Sequence, residues 1–277
     1  MNHLAVTGYA SLDYVLALSG EIKPDRTTHA RRDAAAWPRA GGCPSYVALA
    51  AAMAGQRATP VMWLGDDQIG QVLVDHLDVQ SVDITGIAQV AGAPSPSAVM
   101  AYQPDGGCAC LYDPGPAGRE ALNAAQRAAI SNATHLCLCV GPAHLTREIL
   151  SLRDPNAHLF WAVKDDPACF TPDICTDLSA KADVIFCSAA ERGLIGKTTA
   201  VIVQTRGAKG VTVEHQGTHI EVPVSPVQTS DTTGAGDTFA GGYIAALMAG
   251  PTDPARAAQA GITAAQALLR NRQRTTE

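Results

Sequence analysis

The chain has 277 residues, 47% of which are apolar, and its formal net charge at pH 7 is −6. This length and composition fit one large domain with a substantial core, whereas the acidic balance and the lack of a dense basic block argue against a nucleic-acid partner. No apolar run approaches the roughly 20 residues of a membrane span, and the N-terminus does not resemble a signal peptide, so we expect a cytoplasmic protein without a membrane partner.

The chain opens with an apolar run at residues 3–8, which is typical of a buried strand ending at Gly8. The residues after Gly8 lack the Gly-x-Gly-x-x-Gly spacing of a dinucleotide-binding turn. Asp13 follows this strand, and ligands of open α/β sheets bind beyond the carboxyl ends of the strands. Asp13 is therefore a candidate to accept hydrogen bonds from a polyol, the alternative being a residue of a surface turn.

A polar stretch then runs to Arg39 and interrupts the alternation of strands and helices. Gly41 and Gly42 follow it and precede an alanine-rich helix predicted over residues 46–54. Gly55 ends this helix, as glycine commonly does at a helix C-terminus.

Most of the remaining chain alternates short apolar runs with helical patterns, which predicts a mostly parallel sheet with right-handed crossovers. The exception is a pair of predicted strands at residues 98–102 and 108–112, because the Pro-Asp-Gly-Gly between them signals a hairpin. An amphipathic helix over residues 255–269 closes the domain, and the polar tail from residue 271 is expected to fray. Other strands are predicted at residues 58–64, 82–87, 135–140, 157–163, 182–186 and 201–205, and helices at residues 120–130 and 143–152.

Residues 231–239 read Asp-Thr-Thr-Gly-Ala-Gly-Asp-Thr-Phe, a tight loop that opens a helix of small apolar residues. The start of a helix offers unpaired N–H groups and a partial positive charge, so it binds anions and phosphate in particular. Asp237 lies in the first helical turn, where its carboxylate would repel a phosphate. A general base that deprotonates a hydroxyl attacking phosphorus explains a carboxylate at this position.

This nine-residue motif resembles the C-terminal signature of the ribokinase-like (PfkB) family of carbohydrate and nucleoside kinases. The resemblance spans nearly the whole chain and implies a single three-layer α/β/α domain over residues 1–277. Its central sheet is mostly parallel, and a small β lid is formed near residues 12–39 and 98–112. The implied enzyme transfers the γ-phosphoryl group of ATP, with Mg²⁺, to a primary hydroxyl of a sugar or sugar derivative.

The resemblance also assigns roles around the phosphoryl-transfer loop and the sugar pocket. It implies that Asp237 is the catalytic base and that the backbone amides before it form an anion hole. Asp13 is expected to bind sugar hydroxyls, and the diglycine lets the substrate pack against the backbone. The residues of these two groups are Gly234, Ala235, Gly236 and Asp237 on the catalytic side, and Asp13, Gly41, Gly42 and Tyr46 on the substrate side.

On the nucleotide side, the resemblance implies a Thr-x-Gly-x-x-Gly turn under the phosphates and an Asn-x-x-Glu element that organises magnesium through water. Within the turn, Lys209 can neutralise phosphate charge. Asp231 and Thr233 are candidates to supply oxygens to a monovalent cation such as K⁺. The nucleotide-side residues are Thr205, Gly207, Lys209, Gly210, Ser188 and Glu191.

Two positions depart from the family pattern and keep other functions open. Tyr46 stands where the family commonly has a sugar-binding Asn, and a tyrosine ring can stack on a base, so a nucleoside kinase is an alternative. Ser188 replaces the Asn of the Asn-x-x-Glu element, and its shorter side chain predicts a weaker or water-extended network. The two substitutions together also favour a second alternative, a ligand-binding paralogue with little turnover.

The sequence further suggests an oligomeric state and a redox environment. The strands of the lid would carry free edges, which favour pairing with another chain, so we expect a homodimer through the lids. The eight cysteines lack the Cys-x-x-Cys spacing of a zinc site and are expected to be free thiols in a reducing compartment.

Overall fold

The computed structural model describes residues 2–229 and 231–276, without the side chains of residue 35 and residues 273–276. The strands are β1 (His3–Thr7), β2 (Ser11–Leu18), β3 (Ala30–Arg32), β4 (Arg39–Gly41), β5 (Arg57–Gly65), β6 (Ile87–Val90), β7 (Ser97–Tyr102), β8 (Cys108–Asp113), β9 (His135–Leu138), β10 (His158–Ala162), β11 (Val184–Ser188), β12 (Val201–Thr205), β13 (Val211–His215) and β14 (Thr218–Val222). The α-helices are α1 (Cys43–Met53), α2 (Gln68–Val79), α3 (Ala124–Ser131), α4 (Ala143–Leu152), α5 (Pro172–Lys181), α6 (Ala235–Ala249) and α7 (Pro254–Thr276).

The larger sheet has nine strands in the order β14-β13-β12-β11-β10-β9-β1-β5-β6. Neighbouring strands from β12 to β6 run parallel, whereas β13 and β14 form antiparallel pairs at one edge. Every residue of β1 and β9 is buried, as expected for parallel strands covered on both faces. The carboxyl ends of the central strands therefore meet at one edge of the sheet, where α/β proteins bind their ligands.

Helices cover both faces of this sheet. Successive side chains of a strand point to opposite faces, so Leu4 packs in one core and Ala5 in the other. The first core is completed by α1, α2, α6 and α7, and the second by α3, α4 and α5. The expected three-layer α/β/α fold with a mostly parallel central sheet is thus confirmed.

A second sheet of five strands lies beside the first and contains β3, β2, β7 and β8 in that order, with β4 paired to β2. Strand β2 runs parallel to β7, and β7 and β8 form the antiparallel hairpin. These strands come from the two stretches of chain expected to form a lid. The pairing of β2 with β4 places Asp13 opposite Arg39, which brings two charged residues together at one position of the second sheet.

The structure differs from the predicted elements at two turns. Residues 82–87 form mostly a short helical turn before β6, because Asp83 accepts hydrogen bonds from the backbone and hydroxyl of Thr85. The helix expected from residue 120 begins only at Ala124, since Asn123 and Gln126 form a reciprocal capping box there.

Two helices also differ from the sequence predictions: one was not predicted, and one is longer than predicted. Helix α5 was not predicted, although Thr171 caps it and Pro172 starts it. Helix α7 continues through residues 271–276, where we expected a frayed tail. Within the described parts of the chain, none of the helices is both apolar enough and long enough to traverse a membrane.

Candidate active site

The loop before α6 is shaped as an anion-binding turn. Gly234 precedes the helix in the left-handed conformation, with φ of 70°, which glycine adopts without strain. The amide of Ala235 donates to the carbonyl of Thr232 at 3.1 Å and is therefore not available to a ligand. Among the described residues, the amides of Gly236 and Asp237 have no hydrogen-bond partner, so these two groups are free to bind an anion.

Asp237 lies in the first turn of α6 with only 7% of its surface exposed. The thiol of Cys43 at the start of α1 lies close to this carboxylate, and burial together with the Asp237 charge raises the pKa of that thiol. The Asp237 charge is also the main reason that the pKa of Lys164, two residues beyond β10, is raised. Asp237 thus acts on one group from α1 and one from the end of β10.

Asp13 is one of the most buried carboxylates of the chain, with 2% exposure. Burial raises its pKa, whereas the hydroxyl of Ser11, which donates to Oδ1 at 2.5 Å, and the charge of Arg39 oppose that shift. A Cβ atom on Gly41 would come within 2.2 Å of the Asp13 carboxylate. The first glycine of the pair is therefore required to make room for this carboxylate.

Tyr46 does not extend into open space as a stacking platform would. Its ring packs against Gly234, where an added Cβ would lie 2.4 Å from the ring. The guanidinium of Arg272 lies 5.9 Å from the ring centroid and donates to the hydroxyl at 3.3 Å. With 6% exposure, the Tyr46 ring joins the anion-binding loop to helices α1 and α7.

Asp231 is held by two arginines rather than standing open to a cation. Arg39 Nη1 donates to one carboxylate oxygen at 2.7 Å, and Arg272 Nη1 lies 3.5 Å from the other. The hydroxyl of Tyr102 donates to the same carboxylate and lies 2.8 Å from the hydroxyl of Thr233. Burial alone would raise the pKa of Asp231, but the hydrogen bond from Arg39 and the charge of Arg272 lower it to about 2.

A cavity of about 370 Å³ is lined by both the expected nucleotide loop and the start of α6. Thr205, Gly207 and Gly210 line it from β12 and its turn, and Ala235 and Gly236 line it from the anion-binding loop. Its volume lies in the range of small-molecule sites. The apolar part of the lining comes from Val224, Pro226, Val227, Phe239, Ile262 and Leu269.

The Thr-x-Gly-x-x-Gly turn has the backbone that its glycines allow. Gly207 and Gly210 both have positive φ, and a Cβ on Gly210 would meet the carbonyl of Val222 at 2.4 Å. The side chain of Lys209 is exposed and does not belong to the cavity lining.

Ser188 and Glu191 form one small turn at the end of β11, directly beside this loop. The amide of Ser188 donates to Glu191 Oε2 at 2.7 Å. Because Ser188 pairs with Thr205 across β11 and β12, these two sequence elements lie next to each other.

A larger cavity of about 840 Å³ lies between α1, α6 and α7. Half of its 24 lining residues are alanine or leucine, and neither Asp13 nor Asp237 lines it. The larger cavity therefore lacks the two buried carboxylates that the sequence indicated as candidates.

The family of the chain follows from a comparison with known families. A family model described as pfkB family carbohydrate kinase matches residues 1–276. The chain belongs to the PfkB family. The resemblance inferred from the motif is thereby confirmed, and phosphoryl transfer to a carbohydrate hydroxyl is the activity of this family.

Individual PfkB relatives differ in their substrates. Ribokinase of Haemophilus influenzae is 28% identical in an alignment 280 positions long, gaps included, that covers 88% of this chain and 85% of the relative. Nucleoside kinase of Methanothermobacter thermautotrophicus is 26% identical in an alignment of 262 positions that covers 89% of this chain and 83% of the relative. A crystal structure of ribokinase from Cryptococcus neoformans var. grubii in complex with ADP shares the fold with a TM-score of 0.82, at 21% identity and 97% and 94% coverage.

Three charged residues near the candidate site residues were not named as candidates from the sequence. Arg39 precedes the diglycine by two residues, and its place in a polar stretch gave no signal for a buried ion pair. Lys164 is the first polar residue after a predicted strand, which is a usual position for ligand contacts. Arg272 lies in the tail that was expected to fray, so no local pattern could place it in the site.

Proposed function

We propose that this PfkB-family chain transfers the γ-phosphoryl group of ATP to a primary hydroxyl of a sugar or sugar derivative. The observation that carries this proposal is the first turn of α6. Buried Asp237 and the free amides of Gly236 and Asp237 share that turn, and Gly236 also lines the 370 Å³ cavity. A base beside anion-binding amides is the arrangement that phosphoryl transfer to a hydroxyl needs.

In this proposal Asp237 accepts the proton of the attacking hydroxyl, and the free amides stabilise charge on the transferring group. Asp13 orients the sugar by accepting hydrogen bonds from its hydroxyls. Gly41 and Gly42 let the sugar approach the backbone beside Asp13. Gly42 has φ of 89°, a conformation that side chains other than glycine rarely adopt.

We propose ATP as the donor because the cavity lining contains both groups suited to phosphates and groups suited to a purine. The Thr205 turn and the start of α6 supply the part suited to phosphates. Val224, Pro226, Ile262 and Leu269 supply an apolar part suited to a purine. Such a division of polar and apolar lining is usual in small-molecule sites.

Mg²⁺ fits this site as a companion of the phosphates. Within the described part of the chain, no group of three His, Cys, Asp or Glu side chains could hold a metal. Mg²⁺ commonly keeps waters and binds through substrate phosphates together with one or two carboxylates. Glu191, held by the amide of Ser188, is the carboxylate that we propose to act on it through water.

The arginines at Asp231 lead to a prediction about the expected monovalent cation. We propose that Arg39 and Arg272 supply the positive charge that K⁺ would otherwise bring to Asp231 and Thr233. The rate should therefore be the same in K⁺ and tetramethylammonium chloride at equal ionic strength. Strong activation of the wild type by K⁺ would contradict this. Arg272→Met removes one of the two buried positive charges beside Asp231. The rate of this variant should by contrast depend on K⁺.

A sugar is favoured over a nucleoside as the acceptor. The nucleoside alternative relied on the ring of Tyr46 as a stacking surface, and that ring is covered by Gly234 and Arg272. A nucleoside would need another aromatic surface beside Asp13.

The test is an assay of ADP formation with ATP and Mg²⁺ across a panel of aldoses, ketoses, their derivatives and nucleosides. We expect one sugar class to raise ADP formation clearly above the rate without acceptor. Phosphorus NMR of the product then identifies the esterified carbon. Turnover only with nucleosides would favour the nucleoside alternative, and acceptor binding without turnover would favour the ligand-binding paralogue.

We also propose that the chain forms a homodimer through the lid. Strand β8 is an edge of the lid sheet, and Leu111 in it is 63% exposed. The opposite edge, β3, carries Arg31 and Arg32, and charges of this kind oppose pairing. Leu111→Arg should therefore shift the protein from dimer to monomer in sedimentation velocity at micromolar concentration. Val79→Arg, at an exposed apolar residue of α2, is the matched control, and a monomeric wild type would contradict the proposal.

We propose a cytoplasmic location. The eight cysteines are all free thiols, and six of them are buried. Free thiols of this kind suit a reducing compartment.

A further inference from the structure

Lys164 lies at the edge of the sheet where the two proposed substrates would meet. The amide of Val163 donates to the carbonyl of Phe186 at 2.9 Å, so the parallel pairing of β10 with β11 continues past Ala162. This register brings Lys164 beside Ser188 and the turn that contains Glu191.

The charges around Lys164 come from both halves of the proposed site. The Asp237 carboxylate contributes most to the raised pKa of Lys164, and the Glu191 carboxylate contributes as well, while burial acts in the opposite direction. The thiols of Cys43 and Cys139 act on it in the same direction. The amine is therefore a cation influenced both by the proposed base and by Glu191.

Lys164 nevertheless does not form a closed ion pair. Among the residues that the structure describes, the Lys164 Nζ atom has no hydrogen-bond partner and no carboxylate within ion-pair distance. The atom is also not completely buried. A partly buried ammonium group next to two carboxylates, yet bonded to neither, has its three donors available to a ligand. An anion arriving between Asp237 and Glu191 would be the natural acceptor.

We propose that Lys164 is a catalytic residue that binds oxygens of the transferring γ-phosphoryl group. This inference rests on the proposed kinase function. Three groups would then share the charge of the phosphoryl group: the amides of Gly236 and Asp237, the magnesium near Glu191, and the Lys164 ammonium. Ser188 lacks the side-chain amide of the Asn expected at its position. In this proposal the neighbouring Lys164 supplies a positively charged hydrogen-bond donor instead.

The proposed step balances without a change in Lys164. A bond forms between the acceptor oxygen and the γ-phosphorus, and the bond from that phosphorus to the β,γ-bridging oxygen breaks. The electron pair stays on ADP, and the hydroxyl proton moves to Asp237. Lys164 remains protonated and forms no covalent bond. It offsets the repulsion that the Asp237 carboxylate exerts on the phosphoryl group.

The first test measures binding rather than turnover. Calorimetry compares Mg²⁺ with ADP against Mg²⁺ with the β,γ-imido analogue of ATP, for the wild type, Lys164→Met and Lys164→Gln. Loss of a charge-assisted contact to the γ-phosphate should weaken analogue binding by about 10–100-fold and leave ADP binding nearly unchanged. Lys197→Met, at an exposed lysine outside the site, is the matched control. Equal affinities of wild type and both Lys164 variants for the analogue would overturn the proposal.

The second test measures turnover with the acceptor identified by the panel assay. Lys164→Ala should lower kcat by roughly 10²–10³, the usual cost of removing one donor to a developing charge, and added ethylammonium should restore part of the rate. Wild-type kcat in Lys164→Ala would overturn the proposal, as would a lowered kcat that ethylammonium leaves unchanged while a thermal melt shows an intact fold. If the wild type turned over no acceptor, the kinase proposal would fail, whereas the calorimetric comparison would still decide whether Lys164 binds the γ-phosphate.

Discussion

Asp237→Asn is expected to lower kcat by roughly 10²–10⁴, the usual contribution of a general base. Positioning and charge stabilisation do most of the work in phosphoryl transfer, but a sugar hydroxyl attacks poorly until its proton has an acceptor. Asparagine keeps the size of the side chain and the start of α6, so the amides of Gly236 and Asp237 stay in place. The substitution also removes a negative charge beside the phosphates, so ATP should bind as well as before or more tightly.

Steady-state kinetics with calorimetry of ATP binding and a thermal melt can separate these effects. The expected pattern is a low kcat, a sugar KM close to that of the wild type, and an unchanged melting temperature. Asp253 is exposed, directly precedes α7 and accepts a hydrogen bond from the amide of Arg256. Asp253→Asn is therefore a matched control that should leave kcat unaltered. A variant at position 237 that retained more than about a tenth of wild-type kcat, well above the loss typical of a base, would remove Asp237 from that role.

Asp13→Ala is expected to weaken sugar binding by roughly 10–100-fold or more, because each charge-assisted hydrogen bond that is lost contributes about 1.5–3 kcal/mol. Binding of ATP should remain nearly intact, since Asp13 lies on the lid side with Gly41. Asp13→Asn keeps the volume and the contact with Ser11, and should show a smaller loss of the same kind.

The Asp13 variants are best measured by titrating the sugar and the nucleotide separately in a calorimeter. Asp105→Ala, in the exposed hairpin turn of the lid, controls for a change in lid structure. Loss of ATP binding with sugar binding intact would place Asp13 on the nucleotide side and reverse the proposed orientation of the substrates.

The sequence predicted the parts of the fold that depend on local patterns. Alternating apolar strands and helices predicted the parallel sheet, and glycine spacing predicted the loop before α6. The failures came from side-chain caps: Asp83 turned an expected strand into a helical turn, and Asn123 with Gln126 delayed a helix. These caps depend on hydrogen bonds of single side chains, which an apolar pattern does not contain.

The site was predictable only where the chemistry lies within one motif. Asp237 and its neighbouring amides belong to one stretch, and Asp13 follows one strand. The ion pairs of Asp231 join residues 192 and 41 positions apart in the chain, and the Arg272 partner belongs to a helix end that looked polar and exposed. Only the closing of α7 against the loop makes this arginine part of the site.

The contact between Arg39 and Asp231 has a consequence for how the two substrates influence each other. Arg39 belongs to the lid strand that faces Asp13, and Asp231 begins the loop that supplies the phosphate-binding amides. Moving β4 away from the loop would separate the charges of Arg39 and Asp231 where water solvates them poorly, which is unfavourable. In the proposed arrangement, a sugar bound at the second sheet should therefore also stabilise the loop before α6, and thermodynamic linkage requires the reverse effect to be equal. Each substrate should raise the affinity for the other by the same factor.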